Sequence, residues 1–367
     1  MIWGKGLERE NKDENDTRPN KSISLYLCRN VIIRDISMLH AGWFAVLATG
    51  VDNLTIDNVK MDTNRDGMDI DCCRNVRISN CSVNSPFDDG ICLKSSYGLG
   101  FARSTENVTI TNCEVSGFDE GSLLNGTFTR KNSQYPTGRI KMGTESNGGF
   151  KNITISNCVF DYCRGIALET VDGAQLENIT INNITMRDIV NAPIFLRLGA
   201  RMRGPQGTPV GELRRVIISN IVAYNVDAQT GAIISGIPGH NIEDVTLRDI
   251  KIYYKGGGTR EQAARDVPDR IKDYPEPGSF GTMPSYGFFI RNVKGIHLEN
   301  IDLHFLNDEQ RPPFVLDSVT DADFRFVNAQ TLPGNASLYL TNTENVKIFQ
   351  SFNREDTTLK SVAKLKL

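Results

Sequence analysis

Asp66, Asp88 and Asp89 are the residues of this 367-residue chain best suited by type and spacing to acid–base chemistry. Asp66 lies 13 residues past Asn53 and Asp88 lies 13 past Asn75, and both asparagines open copies of one repeated phrase. The local text repeats too, with Asp66-Gly67-Met68-Asp69-Ile70 set against Asp89-Gly90-Ile91-Cys92-Leu93. In a coiled solenoid, equal offsets put residues one above the other, about 4.8 Å apart. Three carboxylates at that range repel, so at least one keeps its proton near neutral pH. A protonated acid beside an ionised one is what glycosidic hydrolysis requires. One protonates the leaving oxygen and the other draws a proton from water. Spacing alone leaves two further readings open. Asp-Gly pairs are ordinary turn chemistry, and acid pairs on such a scaffold can hold calcium through oxygen ligands.

The elements that must position these acids are set by the phrase itself. It is nine residues long: Asn, aliphatic, any, aliphatic, any, Asn or Asp, small or aliphatic, any, aliphatic. Copies start at Asn30, Asn53, Asn75, Asn107, Asn152 and Asn178, with looser ones at Arg215, Asp244, Gly295, Asp323 and Asn345. The apolar positions alternate, which is the period of a strand. The shortest spacings between starts are 22, 22 and 23 residues, and the longer ones read as a turn plus an inserted loop. A period of that size marks a solenoid. The leucine-rich consensus is absent, so an all-β parallel β-helix of about 22–25 residues per coil is the expected fold. We expect one domain over 1–367, with an irregular segment at 1–21, a long loop at 256–285 and a C-terminal tail at 351–367.

Composition narrows the function classes. The 41 basic and 44 acidic residues leave a net charge of −3, which offers neither a nucleic-acid surface nor a polybasic membrane face. No apolar run approaches the roughly 20 residues that span a bilayer, so no membrane insertion is expected. Cys81, Cys113 and Cys158 occupy one slot of three successive copies, and Cys28 and Cys73 each precede a copy by two residues. Stacked, buried thiols explain that pattern better than disulfides; there is no Cys-x-x-Cys pair and the four histidines do not cluster, so no structural metal is expected. The Asn-x-Thr matches at Asn53, Asn107, Asn152 and Asn178 fall on the repeat's own asparagine and read as a hydrogen-bonded ladder.

At the aspartates the chain resembles glycoside hydrolase family 28, the polygalacturonases and rhamnogalacturonases. The resemblance runs from Gly4-Lys5-Gly6 and Arg18-Pro19 through the later coils. The family's Asn-Thr-Asp motif is matched by Asn64-Arg65-Asp66, and its Asp-Asp motif stands intact as Asp88-Asp89. The resemblance implies a right-handed parallel β-helix and inverting, cofactor-free hydrolysis of a pectic oligo- or polysaccharide. Asp88 would be the general acid, with Asp66 and Asp89 holding and activating the attacking water. It also implies a secreted or periplasmic protein, and family members carry a leader and capping coils ahead of the stretch at which this sequence starts. With no signal-peptide pattern at its start, the chain is expected to expose an open first coil.

Two family motifs are not kept. The Gly-His-Gly segment falls near Thr137-Gly138-Arg139 and has no histidine. The Arg-Ile-Lys segment falls in Gly165-Ile166-Ala167-Leu168-Glu169-Thr170, where Ala167 and Glu169 replace both cations. In polygalacturonases that pair is associated with the galacturonate carboxylate on the leaving side. Either Arg139, Lys141 or Arg164 supplies the contact from a neighbouring coil, or the leaving-side sugar is neutral. Glu169 would repel a carboxylate, which favours the second. Arg139, Lys141, Arg164 and Glu169 are therefore the expected substrate-binding residues, and Arg197 is a further candidate for which a salt bridge is an equal account. The expected substrate is galacturonate-containing, of rhamnogalacturonan type or cut from its end. A calcium-dependent pectate lyase and a non-catalytic carbohydrate-binding β-helix are the alternatives.

Overall fold

The computed structural model describes residues 1–4, 20–131 and 135–367. The second position of the repeated phrase runs through it as a single internal column. Val31 pairs with Leu54, then Val76, Val108, Ile153, Ile179, Val216, Val245, Ile296, Ala322 and Val346, all in parallel register. Every member from Leu54 to Val346 is buried. Burying one such aliphatic side chain contributes roughly 1.5–3 kcal/mol, and stacking repeats it on every coil. The result is a right-handed parallel β-helix. One copy is placed differently from expectation: Ala322 fills the column, so the phrase starts at Asp321 and not Asp323. A strand period of two cannot distinguish registers two residues apart, because both bury the same face.

The leading asparagine has a backbone reason. Asn30, Asn53, Asn75, Asn107, Asn152 and Asn178 all sit at φ between 55° and 60°, a left-handed bend that Asn tolerates better than most residues. Their amides form the expected ladder, each Nδ2 donating to the Oδ1 one coil earlier at 3.0–3.2 Å. Asn107→Ala would lose two ladder bonds and keep a strained backbone, and a loss of about 1–2 kcal/mol is expected in urea unfolding. Asn107→Gly relieves the bend but not the ladder, so it should cost less than Asn107→Ala.

All eight cysteines are free thiols, and Cys81, Cys113 and Cys158 are buried in the expected stack. Both ends carry more structure than the sequence suggests. Ile2–Trp3 pairs with Met38–Leu39, and the expected irregular segment otherwise falls largely on residues 5–19, outside the described ones, as do Lys5-Gly6 and Arg18-Pro19. The tail at 351–367 contains a strand, Thr357–Lys366, antiparallel to Leu338–Phe349. On the first coil Ile23, Leu25 and Val31 are only partly buried, and Tyr26, Leu27 and Ile32 are exposed.

The stretch at 256–285 is a packed insertion. It holds a short helix, Arg260–Ala263, capped by Thr259, and a 3-10 turn, Pro277–Phe280. Val267, Phe280 and Met283 pack against Ala167, Phe195, Ile233 and Phe289, which point outward from successive coils. The buried guanidinium of Arg197 donates at 2.7 Å to the carbonyls of both Asp269 and Arg270. Arg197 thus anchors this insertion, and burial draws its pKa down to about 10.

Candidate active site

The acids stand on the strand Asp66–Asp71 and on the turn that leads into Ile91–Ser95. Met68 pairs with Ile91, and the Gly67 amide donates to the Asp89 carbonyl at 3.0 Å, so Asp66-Gly67 lies against Asp89-Gly90. Glycine is required here by contact. A Cβ on Gly67 would lie 2.4 Å from both the Gly90 carbonyl oxygen and the Val83 side chain. One carboxylate oxygen from each of Asp66, Asp88 and Asp89 falls within 4.8 Å of the others. Asp66 and Asp89 are buried, whereas the Asp88 side chain keeps about a quarter of its exposure. Arg65 forms an ion pair with Asp88 and lies over the Trp43 ring at 4.2 Å. Asp69 and Lys94 complete this level, with Lys94 Nζ 2.7 Å from Asp69 and 3.5 Å from Asp66.

The next coil stacks cations on the acids. Ile140 pairs with Ile91, which sets Arg139 beside Asp89 and Lys141 on the row above Cys92. Arg139 Nε donates to Asp89 Oδ1 at 2.7 Å, and Lys141 Nζ lies 3.4 Å from Asp89 Oδ2. On the following coil Glu169 approaches Lys141 at 3.5 Å and Arg139 at 3.9 Å. The insertion then closes the group from above. Glu276 accepts from Arg139 and, at 2.9 Å, from Arg164, while Tyr274 and Thr144 share a 3.0 Å hydrogen bond beside Lys141.

Arg139, Lys141 and Glu169, the expected substrate-binding residues, thus stand together in this group. They are 1%, 2% and 0% exposed and are paired with one another, Asp89 and Glu276. Arg164 keeps about a quarter of its side-chain exposure but is engaged by Glu276. The insertion adds one acid to the group, Glu276, from more than a hundred residues downstream. Glu120 lies off the cluster, 3.1 Å from His40 and hydrogen-bonded to Asn64.

Environment splits the carboxylates. Burial pushes Asp66 well up, with Asp69 adding to the rise. Burial also raises Asp69, to about 6 against the pull of Lys94, and Glu169, to about 7 against Lys141 and Arg139. Asp89 is equally buried, yet Lys141 and Arg139 outweigh the burial and hold it below the usual range. Glu276 is lowered against its burial by Arg139, Lys141 and Arg164.

These directions fix a pH trend. Asp69 and Glu169 bind protons more tightly folded than unfolded, so their contribution is full below about pH 4 and is lost as pH rises through 6 to 7, and Asp66 acts in the same direction. Asp89 and Glu276 act oppositely, losing their contribution as acid protonates them below the ordinary carboxylate range. The melting temperature should therefore fall from mildly acid pH to pH 8, and Glu169→Gln should flatten that fall in a calorimetric series.

Sequence reasoning missed Lys94, Arg65's partnership with Asp88, Tyr274 and Glu276. Lys94 could have been found, since it pairs in register with Asp71 and so extends the row of outward charges. Tyr274 and Glu276 sit in an insertion with no repeat to register them.

Fold and site together define a β-helical protein with a carboxylate centre built across adjacent coils. The chain belongs to glycosyl hydrolases family 28, whose model matches residues 2–271. Among solved structures it is similar in fold to a hyperthermoactive exopolygalacturonase from Thermotoga maritima, with a TM-score of 0.54 and 15% identity. That match covers 96% of this chain and 60% of the Thermotoga chain. A family 28 exopolygalacturonase from Yersinia enterocolitica gives a TM-score of 0.47 and 14% identity, over 87% of this chain and 46% of that one. A comparison with curated proteins finds no match. Tyr274 and Glu276 lie beyond the residues that the family model covers.

Proposed function

We propose that this protein hydrolyses a galacturonate-containing pectic chain, of rhamnogalacturonan type or from its end, with Asp66, Asp88 and Asp89 as the catalytic residues. The observation that carries this reading is the aspartate cluster in a family 28 chain, with its members held in opposite electrostatic surroundings. Asp88, the exposed member, gives its proton to the glycosidic oxygen as the bond from that oxygen to the anomeric carbon breaks. A water molecule held by Asp66 and Asp89 attacks that carbon, and its proton passes to this pair of carboxylates. Burial favours a proton on Asp66, the step requires one at Asp88, and the two carboxylates approach within 4.8 Å of each other.

Spacing offers a second reading. Carboxyl groups stand about 5–5.5 Å apart in retaining enzymes and about 6.5–9.5 Å apart in inverting ones. The 4.8 Å bound on the nearest oxygens is closer to the retaining range. Asp89 is nevertheless a poor nucleophile here, because Arg139 holds its Oδ1 and Lys141 faces its Oδ2. That favours water as the attacking group and inversion as the outcome. No helix among the described residues is long and apolar enough to cross a membrane. A secreted or periplasmic site of action suits a polysaccharide substrate.

The test is reducing-sugar release from rhamnogalacturonan and from homogalacturonan, with and without chelator. The reading expects release that is greater on rhamnogalacturonan and indifferent to chelator. Activity abolished by chelator would favour the calcium-dependent lyase, and binding without turnover on any pectin fraction would favour a carbohydrate-binding β-helix.

A further inference from the structure

Among the groups flanking the aspartates, Glu276 is the one whose chemistry goes beyond catalysis. Its carboxylate sits in a fork of two guanidinium groups, accepting from Arg139 and, at 2.9 Å, from Arg164. Two guanidinium groups converging on one carboxylate form an acid-binding geometry. Here the carboxylate comes from the protein. It is also firmly placed: Glu276 precedes the Pro277–Phe280 turn, Ser279 Oγ donates to its carbonyl at 2.6 Å, and Phe280 is buried in the apolar cluster below. Arg265 further ties down the carbonyl of Phe280 at 2.8 Å.

Charge balance gives this contact its consequence. Arg139, Lys141 and Arg164 face Asp89, Glu169 and Glu276, three cations against three acids above about pH 7, where Glu169 is ionised, in a largely buried group. A sugar carboxylate entering here would be a fourth anion with no unpaired cation to receive it, and burying an uncompensated charge is unfavourable. A neutral sugar meets no such penalty.

We propose that Glu276 is a specificity-determining residue: a built-in carboxylate that fills the Arg139–Arg164 fork beside the catalytic aspartates and so selects a neutral sugar over a uronate there. This rests on the hydrolase reading for its place on the leaving side, but occupancy of the fork can be tested without turnover.

The experiment uses Glu276→Ala and, should that variant fold poorly, Glu276→Gln. Melting temperature is recorded with galacturonate, galactose and acetate. Glu276→Ala leaves the fork's cations uncompensated, so it should melt below wild type and be restored by galacturonate or acetate but not by galactose. In turnover, the ratio of kcat/KM on homogalacturonan to that on rhamnogalacturonan should rise roughly tenfold or more in either variant. Galacturonate stabilising the variants no better than galactose, together with an unchanged substrate ratio, would overturn the proposal. Wild type inert on both polymers would refute the hydrolase reading, while the binding arm would still decide whether the vacated fork takes a carboxylate.

Discussion

Asp88→Asn is expected to lower turnover on pectic substrate by about 10²–10⁴-fold while leaving the melting temperature close to wild type. The two halves of that expectation have separate causes. Asp88 is the partly exposed member of the aspartate group, so its carboxyl can reach a glycosidic oxygen. An amide of the same shape cannot release a proton to that oxygen. Stability is little affected because Asp88 is not buried among unpaired charges; its partner Arg65 keeps the Trp43 ring. Measuring kcat together with thermal unfolding separates lost chemistry from lost structure. A variant with full kcat would remove Asp88 from the mechanism.

The second large effect is on stability. Arg139→Met should destabilise the protein by about 3–5 kcal/mol, the cost of breaking a buried ion pair from one side. Arg139 is 1% exposed and faces Asp89, Glu169 and Glu276, so its removal leaves Asp89 and Glu169 with Lys141 and Glu276 with Arg164 as their remaining cations in a low-dielectric pocket. Arg139→Lys keeps the charge but not the planar fork that reaches Asp89 and Glu276 together, and an intermediate loss is expected. Denaturant midpoints at pH 7 measure both. The loss for Arg139→Met should shrink at low pH, where the stranded carboxylates take up protons.

The coil and the aspartates were legible because both follow from repetition. A phrase recurring every 22 or 23 residues fixes which residues stack, and the matching Asp-Gly text fixes that Asp66 meets Asp89. Its single misplacement, Asp323 for Asp321, is the ambiguity that a period of two permits. The cations were visible as residues but not as partners. Arg139-Ile140-Lys141 spells the family's Arg-Ile-Lys string one coil before the place where that motif was sought. What could not be read was the insertion at 256–285, since no repeat registers it and its packing depends on outward residues of distant coils. Glu276 reaches Arg139 across 137 residues of sequence, a contact that draws the expected substrate-binding residues into one charge cluster.

The central claim, water-mediated hydrolysis of a pectic chain at Asp66, Asp88 and Asp89, is tested most directly by proton NMR of the first products formed from rhamnogalacturonan. Saturated oligosaccharides whose new reducing ends initially carry the inverted anomeric configuration, absent with Asp88→Asn, are the expected result. Unsaturated products absorbing in the near ultraviolet, or identical products from the Asp88→Asn variant, would contradict it.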